Sequence, residues 1–270
     1  MKKLTCISLL MLIVAGSYAQ ETKSKNKLFY GMYLQWGYNL EWYTKSNIHF
    51  KMANGDDFVL HHARAKDKPD FHSITKNPLE ISLPQYNYRI GFYLNKQKTR
   101  SVEINFDHIK YVVTDGQKVH VTGTINNQKV DGDSVLNSAS FLHLEHTDGG
   151  NLLHINYVQQ NTLLHTKGTG RQLLNLLWKA GAGINIPRTD FTYHGDKLNN
   201  NFHIAGFNAS AEAGVRLYPF RHFFVEGTGK TGYVRYLNAL ANTTSLKGSR
   251  VRHGFAYFET IATLGFDITF

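Results

Sequence analysis

Fourteen histidines in 270 residues make imidazole the first chemistry to place. Nine of them (His49, His61, His62, His72, His120, His143, His146, His194 and His203) fall in the stretches read below as long loops. The most suggestive group combines His108 and Lys110, Glu145-His146-Thr147-Asp148, Pro187-Arg188, His203 and His253. A histidine beside a carboxylate can act as a general base, and an arginine can hold an oxyanion or phosphate. His108, His146 and Asp148 are therefore candidate catalytic residues, and Arg188, His203 and His253 candidate ligand contacts. Each also has a plain structural reading: a lone histidine commonly satisfies a neighbour, and Asp148-Gly149-Gly150 is what a tight turn requires. His61 and His62 are adjacent, so in a strand they point to opposite faces and do not share one metal. Gly168-Thr169-Gly170 and Gly227-Thr228-Gly229-Lys230 lack the spacing and following helix of a phosphate loop. No metal or cofactor is expected.

These residues need a frame, and period-two alternation supplies one. From Leu28 to Trp42, Leu28, Tyr30, Met32, Leu34, Trp36, Tyr38, Leu40 and Trp42 share one face. That run far exceeds the five or six residues of a typical strand, ~6 in soluble proteins, and suits a tilted membrane-spanning strand. The same pattern recurs at about 82–94, 100–113, 150–160, 173–187, 204–218, 222–237 and 253–270, which predicts eight strands in all. Short links near Asn95 to Thr99, Gln160 to Gln172 and Pro219 to Arg221 alternate with long ones at 44–82, 114–149, 188–203 and 238–252. An all-β antiparallel transmembrane barrel with short periplasmic turns and long extracellular loops is the expectation. Its topology gathers the histidine and carboxylate group at the outer rim.

Two shorter alternating pairs lie inside the long links: Asn47 to Lys51 with Phe58 to His62 across Asn54-Gly55, and Val119 to Ile125 with Ser140 to His146. They read as hairpins beyond the membrane, since each arm is shorter than the ~9–11 residues of a spanning strand. Counting them as wall strands would give ten or twelve.

At the start, Lys2 and Lys3 precede an apolar run from Leu4 to Val14 and the small-residue end Ser17-Tyr18-Ala19, a cleavable export signal. The expected organisation is a signal at 1–19 and one barrel domain at 20–270, placed in the bacterial outer membrane. Cys6 falls within the signal, leaving no thiol and no disulfide. The net charge of +10 becomes +8 without Lys2 and Lys3. In an exported chain that charge is matched to anionic lipid headgroups and not to nucleic acid. Lys96, Lys98, Arg100, Lys167, Arg171 and Arg221 sit in or beside the short turns, where inner-leaflet phosphates or plain solvent would meet them.

Alternation also assigns Glu41, Arg89, Glu103, Asp107, Lys179, Glu212, Arg216, Glu226, Lys230, Glu259 and Asp267 to the lumen. Eight strands enclose only enough space for side chains, so these charges should pair and fill it. A wide diffusion pore is excluded on that count.

The final strand, alternating Phe258, Ala262, Leu264, Phe266 and Ile268 before ending on Phe270, resembles the C-terminal signature of bacterial outer-membrane barrels. That resemblance implies recognition by the outer-membrane assembly machinery. Arg89-Ile90-Gly91-Phe92-Tyr93, Phe106-Asp107-His108-Ile109-Lys110-Tyr111 and Glu145-His146-Thr147-Asp148-Gly149 resemble segments of a small bacterial outer-membrane family. It implies location and architecture but no particular activity. Eight-stranded outer-membrane barrels also include lipid A deacylases and palmitoyltransferases, a resemblance of architecture alone. In the deacylase type a His and a Ser two residues apart are completed by a carboxylate, whereas His146-Thr147-Asp148 lacks that serine.

Three readings follow: a surface barrel whose loops bind a partner, outer-membrane lipid or lipopolysaccharide; an outer-leaflet lipid hydrolase or acyltransferase using the rim; or a soluble β-sandwich or lipocalin-like barrel with its aromatic faces turned inward.

Overall fold

The computed structural model describes residues 27–72, 76 and 85–270; the expected export signal at 1–19 lies outside them. In chain order the strands begin with β1 (Gly31–Tyr43), β2 (Ser46–Lys51), β3 (Asp57–Ala63), β4 (Ala65–Lys66), β5 (Tyr86–Tyr93) and β6 (Arg100–Asp107). They continue with β7 (Tyr111–Val113), β8 (Lys118–Ile125), β9 (Gln128–Val135), β10 (Leu142–His146), β11 (Leu152–His165) and β12 (Gln172–Asn185). The last are β13 (Asp190–Tyr193), β14 (Asp196–Asn199), β15 (Gly206–Leu217), β16 (Phe223–Leu240) and β17 (Arg250–Thr269).

Eight of these, β1, β5, β6, β11, β12, β15, β16 and β17, pair antiparallel in that order. β17 returns to β1 in unbroken register from Gly31 opposite Thr269 to Tyr43 opposite Tyr257. Closure removes the free edges that a sheet cannot carry into lipid. The outward side chains include Trp42, Ile104, Ile155, Trp178, Val215, Phe258 and Leu264, all exposed, while polar residues fill the interior. A soluble barrel buries its apolar face, and this one presents it outward. The wall is therefore a lipid-facing surface, and the lipocalin-like reading is set aside.

Inside, clusters of ion pairs fill the lumen, and every charged residue assigned there by alternation is buried. Arg89 Nη1 donates to Glu212 at 2.7 Å and lies 3.4 Å from Glu226. Lys179 Nζ donates to Glu226 at 2.7 Å and to Glu103 at 3.1 Å. Arg216 Nη2 meets Glu226 at 2.6 Å, and its guanidinium stacks 4.1 Å from the Phe224 ring and 4.5 Å from Tyr33. Lys230 donates to Asp107 and lies 3.4 Å from Glu259. At the short-turn end Tyr33, Tyr93, Tyr218 and Phe224 close the bore as a small apolar cluster. Tyr33 lies flat over Gly91, where a Cβ would fall 1.9 Å from its ring, so only glycine admits the plug.

The other end holds what alternation only hinted at. Three wall strands overrun the barrel: β16, β17, and β1 carried on by β2. Along β17, Tyr43 faces Tyr257 but His49 faces Arg252, so one extra residue enters near Thr44-Lys45. This bulge flips the outward parity from even positions in β1 to odd positions in β2. β2 pairs β3 across Asn54-Gly55 as expected, and the sheet continues through β8 to β9. A second sheet, in the order β14, β13, β10, β7, β4, lies across it. Between them sits a separate core in which Phe50 stacks on Phe58 at 5.1 Å and on Phe191 at 5.6 Å, and Phe58 on Tyr193 at 5.8 Å. Near the barrel mouth Tyr111 stacks 4.4 Å from Phe255. The described parts of the long connections thus form a two-layer sandwich, a cap seated on the barrel.

Three expectations change. β8 pairs with β9 through Asn126 and Asn127, both in left-handed conformation at φ 52° and 59°, and not with the segment around Leu142. That segment, β10, belongs to the second sheet because Leu142, Leu144 and His146 turn inward to the cap core. The strand expected at 100–113 breaks after Asp107: β7 leaves the wall to join β10 and β4. The last long link shrinks to residues 241–249 because β16 and β17 run beyond the barrel.

Candidate functional site

The sequence candidates cluster where cap meets barrel, but they form separate pairs. His146, at the end of β10, is fully buried, with Nε2 3.1 Å from Nε2 of His253 on β17 and Nδ1 3.1 Å from Thr189 Oγ1. Tyr236 stacks on His253 at 4.9 Å and packs tilted against His146 at 4.7 Å. Only one of the two facing nitrogens can carry the proton. Asp148 accepts from Asn199 and lies 3.4 Å from Arg188 Nη1, while Arg188 Nε donates to the Asn200 carbonyl at 3.1 Å. His108 stacks on Tyr86 at 4.7 Å and its Nδ1 meets Asn151 Oδ1 at 2.9 Å. His203 donates to the Asn238 carbonyl at 3.0 Å. Among the described residues, no hydrogen bond or ion pair joins any two of His108, His146 and Asp148.

Burial pushes the His146 imidazole down to about 3, because a cation there would lose more from shed water than the nearby Glu145 carboxylate returns. Burial also lowers His108, against the opposing hydrogen bond to Asn151. Glu145 is held at about 2 chiefly by the hydrogen bond from His143. The His146 shift has a pH consequence. The unfolded histidine titrates near ~6.5 and the folded one well below it, so the opened chain binds the extra proton. Cap stability is complete above about pH 6.5 and declines as pH falls towards 3, by up to about 1.4 kcal/mol per pH unit. Hydrogen exchange of β10 amides between pH 7.5 and 4.5 should show this loss, with a flatter slope in His146→Leu. Equal protection at both pH values would contradict it.

A second locus carries no counterpart among the sequence candidates. On the outward face of the cap, Arg250 stands opposite Lys51 and Arg252 opposite His49. A hollow of about 350 Å³ runs along these four side chains, ending at Ala53 and Gly248. Asp57, the neighbouring carboxylate, is 2.6 Å from His49 Nε2. The signal was present as two basic-apolar-basic triplets, His49-Phe50-Lys51 and Arg250-Val251-Arg252, but it needed their pairing to become a site. Among the described residues, no group of three or more His, Cys, Asp or Glu could hold a metal ion.

The closed ring, the inverted polarity and the filled lumen decide the architecture. The chain is a small transmembrane β-barrel of the outer-membrane type. No family model matches it, and no curated protein matches it in sequence. Among solved structures it is similar to the outer membrane protein OprG from Pseudomonas aeruginosa, at 10% identity over 90% of this chain and 98% of that one, with a TM-score of 0.41. Neisserial surface protein A gives 8% identity over 84% and 95%, with a TM-score of 0.35. The attachment invasion locus protein Ail of Yersinia pestis gives 10% over 87% and 99%, with a TM-score of 0.29. The strand pairing, and not these likenesses, carries the fold.

Proposed function

We propose that this protein is a surface-binding barrel of the bacterial outer membrane, in which the filled barrel is the anchor and the cap is the binding module. The observation behind this reading is the cap itself: a two-sheet layer with its own buried core, held on three overrunning wall strands. A structural plug needs no such layer, because the lumen is already closed by Tyr33, Tyr93, Tyr218 and Phe224. Rigid display of a face is what the extra sheets add, and loops on a fixed scaffold are where binding residues concentrate.

The test uses cells displaying equal amounts of wild-type protein or Phe50→Ala, the substitution that opens the cap core. Both are probed with a glycan array and with purified lipopolysaccharide. Binding to at least one probe should fall more than tenfold in the variant. Equal binding by both would overturn the reading, and wild-type-specific loss of lipid acyl chains that vanishes in His146→Ala would replace it with a lipid-modifying enzyme.

A further inference from the structure

The four basic residues around the hollow violate a simple sheet rule. Directly opposed like charges on one face of an antiparallel pair are destabilising, yet Arg250 faces Lys51, and Arg252 faces a histidine. Among the described residues, neither Lys51 nor Arg252 has a carboxylate within ion-pair distance, and Arg250 donates only to the Ser249 carbonyl at 2.9 Å. The single acid lining the hollow, Asp57, stands opposite Lys51 on β3 and is 2.6 Å from His49 Nε2. Elsewhere the same protein pairs its cations closely, as Arg89, Lys179, Arg216 and Lys230 show in the lumen. Three permanent cations and a histidine against one carboxylate leave this hollow with a net positive charge, a place where a further anion comes from outside.

Strand parity says which way the row faces. β17 holds regular register on β1 from Tyr257 to Thr269, and its even positions Phe258, Thr260, Ala262 and Leu264 face lipid. Arg252 and Arg250 continue that even series above the barrel, six and eight residues beyond Phe258. At about 3.3 Å per residue the row starts on the order of 20 Å along the strand beyond the Trp42 and Phe258 aromatic pair. It points sideways, over the neighbouring lipids, into the layer occupied by the saccharides of an outer-leaflet glycolipid.

Resting on the binding role proposed above, we infer that Lys51, Arg250 and Arg252, with His49, form a site for a phosphorylated saccharide of the surrounding glycolipid. Guanidinium groups offer paired donors that match phosphate oxygens, and lysine adds a point charge. The hollow's volume is at the lower end of small-ligand sites, which begin at about 300 Å³.

The test places full-length protein in phosphatidylcholine nanodiscs doped with purified lipopolysaccharide, or with the same material after chemical dephosphorylation. Glycolipid retained on release is measured by native mass spectrometry for wild type, for Lys51→Gln/Arg250→Gln/Arg252→Gln, and for Phe50→Ala. Wild type should retain the phosphorylated form at least tenfold more than the triple variant does, and should lose that preference with dephosphorylated material. Equal retention by wild type and triple variant, or indifference to phosphate, overturns the inference. Displacement by a soluble sulfated oligosaccharide at lower concentration than the glycolipid also overturns it, by moving the ligand off the membrane. If only Phe50→Ala loses retention, the cap still binds and the groove is the wrong place; if no variant does, glycolipid binding by the cap fails too.

Discussion

Replacing Glu226 with alanine should destabilise the barrel by about 3–5 kcal/mol, the usual consequence of removing one partner from a buried charge cluster. Glu226 accepts from Lys179 at 2.7 Å, Arg216 Nε at 2.7 Å and Gln35 at 3.0 Å, and lies 3.4 Å from Arg89. Among the described residues, no other carboxylate touches all three cations. Its loss leaves Arg216 without an ion-pair partner among the described residues, with the rings of Tyr33 and Phe224 and the hydroxyls of Tyr93 and Tyr218 around it. Glu226→Gln should do nearly as much damage, since charge and not volume is what the site lacks. The measurement is the temperature at which the folded, compact band gives way to the unfolded one on unheated gels. Midpoints for both variants equal to wild type would show that the lumen network adds little to stability.

A comparable effect is expected at the opposite end, confined to the cap. Phe50 is fully buried and is one of the rings that join the two sheets, stacking on Phe58 within its own sheet and on Phe191 across the core. Phe50→Ala removes that contact and leaves a cavity worth about 3–5 kcal/mol. No side chain of the barrel lumen touches this core residue in the ring contacts given above, so the barrel should stay closed while the cap opens. Trypsin acting at Lys51, Arg64 or Lys66 should then cut about a hundredfold faster, with the folded barrel band unchanged. Loss of the barrel band together with the cap would mean that the two are one cooperative unit.

The barrel was legible because alternation is a local property: Leu34, Trp36 and Tyr38 announce a wall strand without reference to any partner. The lumen charges were legible by the same parity, as Arg89 and Glu212 show, although their pairing at 2.7 Å required the closed ring. The cap was less legible for a physical reason. Its strands are short, and its edge strand Gln128–Val135 carries Lys129, Asp131 and Asp133, which read as solvated chain until β8 is seen beside it. The bulge after Tyr43 also reverses parity, so His49 and Lys51 look like a fresh hairpin and not the continuation of the wall. The rim candidates fared differently. Topology did bring His146 to His253 and Asp148 to Arg188, but which histidine meets which partner depends on the packing of β10 against β17, a contact between residues 107 positions apart.

Among the described residues, the long connections are a folded layer and not mobile loops. Hydrogen exchange on the full-length protein in nanodiscs tests it most directly, comparing amides of β3, β8 and β10 with those of the turns at residues 94–99 and 166–171. The cap strands should exchange at least a hundredfold more slowly than those turns at pH 7.5, and Phe50→Ala should remove the difference. Cap strands that exchange as fast as the turns in the wild-type protein would contradict it.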